Sequence, residues 1–168
     1  MTQKVALVTG AAAGIGAGCA KRLAEDGVAV GVLDLDKERC ADTVKAIRSA
    51  GGKAVALGAD VSKRDQVFAA VEELRRELGP VTILVNNAGV TDFTPFEEIT
   101  DELWDFVYAV NVRGPMLFAA LGVSLGTFDG FVSGARATTA ETLRAALRGT
   151  GAAAGVSFAC GALAVFVP

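Results

Sequence analysis

The sequence predicts an α/β fold: a doubly wound parallel sheet with helices on both faces, incomplete on its C-terminal side. Two observations carry this. Four short apolar runs alternate with helix-period segments, and a glycine-rich break separates the first run from the first helix. The 168 residues are 52% hydrophobic with a net charge of −3, which excludes disorder as the main state. That length suits about one domain around a single core.

The elements follow in order. Residues 4–9 form an apolar run suited to a buried parallel strand. Over 15–26, Ile15, Cys19, Ala20, Leu23 and Ala24 share one helical face. A second strand over 28–34 leads into a helix from about residue 36 to 50, with Cys40, Val44 and Ile47 inward. Gly51 and Gly52 end that helix, and a third strand covers 53–57. Ser62 and Asp65 read as a capping pair before Val67, Ala70, Val71, Leu74 and Leu78 repeat at helical spacing. Gly79 and Pro80 stop it, and a fourth strand spans 82–85. After Thr100, Leu103, Phe106, Val107, Val110, Gly114 and Leu117 make a further apolar stripe.

The patterning then breaks. Residues 1–113 hold 30 charged side chains, whereas 114–168 hold five and are far richer in Gly and Ala. A helix surface needs polar positions to face water, and the later stretch has few. The division expected is therefore 1–121 as a nucleotide-binding domain and 122–168 as an atypical Ala/Gly-rich tail. A shifted reading frame or truncated gene product, a divergent C-terminus, and membrane attachment through the uncharged residues 149–168 all remain open for the tail.

Composition excludes several function classes. Sixteen basic against nineteen acidic residues, with no basic stripe, argue against a nucleic-acid partner. The absence of histidine removes a His-based metal site, a Ser-His-Asp hydrolase and a His general base, and no metal is predicted. Cys19, Cys40 and Cys160 lack CxxC spacing and read as free thiols in a reducing compartment. The opening residues hold too short an apolar run for a signal peptide, so a cytoplasmic location with no membrane span is expected.

Chemistry enters at the first turn. Thr9, Gly10, Gly14, Ile15 and Gly16 lie between the first strand and first helix. Glycines there let backbone amides approach a pyrophosphate at the positive helix end. Asp34 closes the second strand, where a carboxylate accepts from ribose hydroxyls and repels a 2′-phosphate. With Ala13 in the turn and Leu35 after the aspartate, no cation is evident for that phosphate, so the cofactor expected is NAD.

With Asp60-Val61, then Asn86, Asn87, Ala88 and Gly89, then Asn111, the series resembles the short-chain dehydrogenase/reductase family over about residues 3–121. Within it, the series resembles the 3-oxoacyl-carrier-protein reductase-like members or hydroxyacyl-type dehydrogenases. The resemblance implies a Rossmann-type domain in which Asp60 accepts from the adenine amino group beside Val61. It also implies that Asn87, Ala88 and Gly89 line the adenosine ribose. Asparagine also serves plain turn geometry, and only the order of motifs favours the functional reading. The resemblance implies dimers or tetramers built through the helix carrying Asn111, hence a homo-oligomer.

Asn111 has two readings. Pro115 lacks the amide that would bond carbonyl 111 in an α-helix, which leaves that carbonyl for a water of the family's proton relay. The other reading is a simple proline kink. The family's remaining catalytic residues have no counterpart here. A tyrosine is a poor acid–base group near neutrality unless a cation stabilises its phenolate, hence the family's Tyr-x-x-x-Lys. The single tyrosine is Tyr108, on the wrong element, and the last lysine is Lys63. Ser133, in a run from 130 to 133, is a weak match for the family's serine. The expectation is an NAD-dependent oxidoreductase acting between nicotinamide and an alcohol or ketone, with this chain inactive alone. The alternative is a non-catalytic NAD-binding module or pseudo-enzyme acting through a partner.

Overall fold

Strictly apolar runs with no polar alternation form the centre of the sheet, because both of their faces are covered. The computed structural model describes residues 3–124. Its strands are β1 (Val5–Thr9), β2 (Ala29–Asp34), β3 (Ala54–Gly58) and β4 (Ile83–Val85). All pair in parallel, in the order β3-β2-β1-β4. Helices α1 (Gly14–Glu25), α2 (Ala41–Ser49), α3 (Arg64–Leu78), α4 (Asp101–Tyr108) and α5 (Gly114–Ser124) complete the described part. The predicted fold class is therefore the observed one.

The two-residue period of the strands sorts their side chains into two cores. Val5, Leu7, Leu33 and Leu57 face α3, where they meet Val67, Val71 and Leu74, with Phe118 of α5 beside them. Ala6, Val8, Val30 and Val32 face the other way, onto Ala20 of α1 and Val44 and Ile47 of α2. The helical stripes expected for α2 and α3 are these buried faces.

The strand order reverses next to β1. The chain builds β1, β2 and β3 in one direction, then returns to place β4 on the free side of β1. At such a switch point the two connections leave the strands in opposite directions and open a crevice at their carboxyl ends. The turns after β1 and β4 lie there.

Two glycines allow close packing. A Cβ on Gly31 would come 2.7 Å from Leu74 Cδ2 and 3.0 Å from Leu57 Cδ1, so its absence lets α3 settle onto β2. A Cβ on Gly16 would come 2.3 Å from the Gly10 carbonyl oxygen and 2.6 Å from Asn87 Nδ2.

Several local expectations are corrected. Ser62 and Asp65 do not cap α3: the N-cap is Lys63, without a side-chain cap bond. Asp60 organises that turn instead, accepting from the Ser62 amide through Oδ1 while its own amide donates to Gln66 Oε1, both at 2.8 Å. A short aspartate beside the turn wins because its carboxylate reaches a backbone amide two residues on. Ile15 does not join the inward face of α1 but is 80% exposed, and Gly16 and Ala17 are buried in its place. Phe106 is 51% exposed rather than part of a buried stripe. The second helix starts later than residue 36, through a 3₁₀ turn at Glu38–Cys40. The stripe from 103 to 117 is split by a π turn at Ala109–Arg113. The run 130–133, Cys160 and the uncharged stretch 149–168 lie outside the described residues.

Gly31→Ala is expected to lower stability by about 1–3 kcal/mol, the usual range for overpacking a filled core. Gly16→Ala should cost more, because the obstructing Gly10 oxygen is backbone and cannot rotate away. Denaturant melts of the two variants check the order.

Candidate functional site

A threonine ending a central strand has one donor and two acceptor positions to spend. Thr9 spends them on the turn after β4. Its Oγ1 accepts from the amides of Asn87 and Ala88, both at 3.0 Å, and donates to the Val85 carbonyl at 3.4 Å. Asn87 returns the link, Nδ2 donating to the carbonyls of Thr9 and Gly10 at 3.0 Å each. Thr9 is itself buried, so it shapes the crevice from beneath.

Gly10 and Gly14 take φ of +63° and +57°, the left-handed region open to glycine, and between them the chain turns from β1 into α1. In that turn the Ala11 amide donates to the Leu33 carbonyl at 3.0 Å, and the Ala12 amide donates to Asp34 Oδ2 at 3.2 Å. The glycine turn and the end of β2 are thereby tied together.

The crevice is a cleft of ≈ 480 Å³. It is lined by Gly10 from the first turn, Asp34 from β2, Asp60 and Val61 after β3, and Asn87, Ala88 and Gly89 after β4. Seven of the expected site residues thus meet in one hollow. Gly14, Ile15 and Gly16 open α1 nearby. Asn111 stands outside the lining. Its Oδ1 accepts from the Val90 amide at 2.8 Å and its Nδ2 donates to the Val90 carbonyl at 2.7 Å, a two-bond brace holding the segment after Gly89 against the helix. The helix does run through both 111 and 115, with a π turn just before the proline in which the Gly114 amide donates to the Ala109 carbonyl.

Among the lining residues that the sequence reading did not include, one is charged. Arg39 borders the cleft, with Nε 3.3 Å from Asp34 Oδ1. The expectation that no cation stands near the ribose position is therefore corrected. The 3₁₀ turn at Glu38–Cys40, read as ordinary helix from sequence, hid the approach of Arg39. The only hint was a basic residue five positions after the aspartate.

The next residue, Cys40, is fully buried, and its Sγ donates to the Leu57 carbonyl at 3.7 Å. Burial, with the Asp34 charge adding to it, raises the thiol from 9.0 to about 11. Cys19 and Cys40 are both free thiols. Among the described residues no cluster of three His, Cys, Asp or Glu could hold a metal, and no helix is long and apolar enough to cross a membrane.

The comparisons with known proteins bear on this arrangement. The family model for short chain dehydrogenase matches residues 4–125. The chain belongs to the short-chain dehydrogenase/reductase family. An uncharacterized oxidoreductase of Methylorubrum extorquens is 48% identical over 115 residues, covering 68% of this chain and 46% of the relative. A 3-ketoacyl-ACP reductase from Sinorhizobium meliloti superposes with a TM-score of 0.68 at 42% identity, over 71% of this chain and 47% of that one. A metagenomic short-chain oxidoreductase in complex with NADP superposes with a TM-score of 0.66 at 35% identity, over 74% and 54% of the two chains. The chain spans about half the length of the curated relatives it matches. Residues 107–167, which include the tail where no resemblance was read from sequence, match the phosphate acetyl/butaryl transferase model.

Thr9→Val keeps the shape of the side chain but strands two partly buried amides. A loss of about 1–3 kcal/mol is expected in denaturant unfolding. Cys40 gives a pH signature. Its thiol titrates higher folded than unfolded, so its stabilisation is complete below pH 9 and is lost as pH rises toward about 11. Roughly 2–3 kcal/mol should disappear across that window, and melts of Cys40→Ala should lack that component.

Proposed function

We propose that residues 1–121 form a nicotinamide dinucleotide-binding domain of a short-chain oxidoreductase, that its cofactor is NAD, and that residues 122–168 are an atypical Ala/Gly-rich tail to that domain. The observation that carries the reading is the meeting of Gly10, Asp34, Asp60 and Asn87–Gly89 in one cleft at the switch point of the sheet. The residues fit such a group. Gly16 leaves no room for a Cβ where α1 meets the glycine turn, so the helix start stands close to the cleft.

In this reading the amides opening α1, at Gly14, Ile15 and Gly16, face the pyrophosphate. Asp34 accepts from the adenosine ribose, and Asp60 beside Val61 accepts from the adenine amino group. Ala88 and Gly89 line the ribose, with Thr9 and Asn87 holding their turn in place. Asn111 fixes the segment from Gly89 to Val90 and presents its carbonyl to a relay water. The bound nicotinamide would exchange hydride with an alcohol or ketone carbon. No residue here supplies the proton at the substrate oxygen, because no Tyr-x-x-x-Lys exists in the sequence. That absence supports binding without turnover in this chain alone, and with it the second reading of an NAD-binding pseudo-enzyme acting through a partner. A homo-oligomer and a cytoplasmic location belong to the same proposal.

Calorimetric titration with NADH should register binding, and Asp34→Arg should weaken it at least tenfold. Incubation with NAD and a panel of secondary alcohols should produce no NADH absorbance. Silence toward NADH at millimolar concentration in a folded chain overturns the cofactor assignment, and steady NADH production overturns the inactivity.

A further inference from the structure

A hydroxyl on the inward face of a helix is costly to bury unless an acceptor receives it. Thr43 lies in the first turn of α2 and is buried; among the described residues, it and Thr9 are the buried polar side chains. A threonine within a helix commonly bonds a carbonyl of its own preceding turn. Thr43 reaches across the fold instead, its Oγ1 donating to the Ala12 carbonyl at 3.0 Å, 31 positions away in the chain. Helix α2 thereby holds the glycine turn by a directed bond.

The peptide plane says what that bond fixes. The Ala12 carbonyl and the Ala13 amide belong to one trans peptide, so they point in opposite directions. With the oxygen tied to α2 on the inside, the Ala13 N–H is turned away from α2. It has no acceptor among the described residues. Ala13 is exposed and is the N-cap of α1, with φ of −150°. Gly10 and Gly14, on either side at positive φ, give this backbone unusual freedom. The bond from Thr43, with that from the Ala12 amide to Asp34 Oδ2, selects one orientation for it.

We propose that Thr43 is a positioning residue of the dinucleotide site, holding the Ala12–Ala13 peptide from behind so that the Ala13 amide joins those opening α1 in facing the phosphates. This rests on the dinucleotide reading above and goes beyond it, because Thr43 acts through the turn and not by touching the ligand. Loss of the hydroxyl releases the peptide. Asp34 Oδ1 still accepts from the Leu35 amide at 2.9 Å, so the adenosine end keeps its partner while the phosphate end loses one.

The test uses the full 168-residue chain as wild type, Thr43→Val and Thr43→Ser. NADH binding is read from its fluorescence, and ADP-ribose and adenosine from displacement of NADH. Thr43→Val keeps the shape and removes the donor. It should weaken NADH and ADP-ribose about fivefold or more and leave adenosine within about twofold, as the loss of one hydrogen bond to a charged group implies. Thr43→Ser keeps the donor and should bind all three ligands nearly as wild type does. An amide NMR titration of wild type, which needs no variant to fold, should move the Ala13 proton downfield with ADP-ribose and leave it in place with adenosine. Four results overturn the inference and leave the dinucleotide reading intact: equal weakening of all three ligands in Thr43→Val, unchanged NADH binding in that variant, a Thr43→Ser as weak as Thr43→Val, or an Ala13 amide that ADP-ribose does not move. Folded wild type that binds none of the three overturns the dinucleotide reading, and this inference with it.

Discussion

The exchange of hydrogen bonds between Thr9 and Asn87 is the constraint on which the rest of the crevice depends. β1 and β4 are neighbours only because the chain reverses its direction of winding, and their carboxyl ends would otherwise diverge into unrelated turns. The Thr9 hydroxyl takes two amides of the β4 turn, and Asn87 Nδ2 takes two carbonyls of the β1 turn. Each turn thus satisfies polar groups that the other cannot satisfy within itself. No buried side-chain nitrogen or oxygen among the described residues is left without a partner, as expected where such groups are costly to strand. With the two turns locked, Gly16 has no alternative to close contact with Gly10, and the start of α1 is aimed at the cleft.

From that clasp the geometry propagates to β2. The turn held by Asn87 places the Ala12 amide within reach of Asp34 Oδ2, and Thr43 of α2 donates to the Ala12 carbonyl at 3.0 Å. The glycine turn is therefore fixed from β4, β2 and α2 together. A rigid backbone frame of this kind leaves adjustment to side chains at its rim. Arg39, Leu35 and Phe106 are half-exposed side chains there, one charged, one aliphatic and one aromatic.

Much of this was readable from residue order alone. The strands were placed within one or two residues because doubly covered strands are uniformly apolar, and α2 and α3 because their inward faces repeat at helical spacing. Seven expected site residues converge in the cleft because motifs fixed to strand ends travel with the sheet. The errors share a cause. Ser62, Ile15 and Phe106 are placed by spacing alone, which registers neither the turn that Asp60 makes with the Ser62 amide nor the exposure of Ile15 and Phe106. The π turn at Ala109–Arg113 has no periodic signature, since one extra residue in a helix looks like ordinary noise in a stripe.

The sequence by itself determined the strand and helix order, the faces that α2 and α3 bury, the family, and the want of a Tyr-x-x-x-Lys, since these depend on residue identity and short-range period. Only the tertiary structure decided that Arg39 leans on Asp34, that Thr9 is a brace under the site, and that Asn111 clamps Val90. Those contacts join residues from five to seventy-nine positions apart, and their geometry exists only once the sheet has brought the strand ends together.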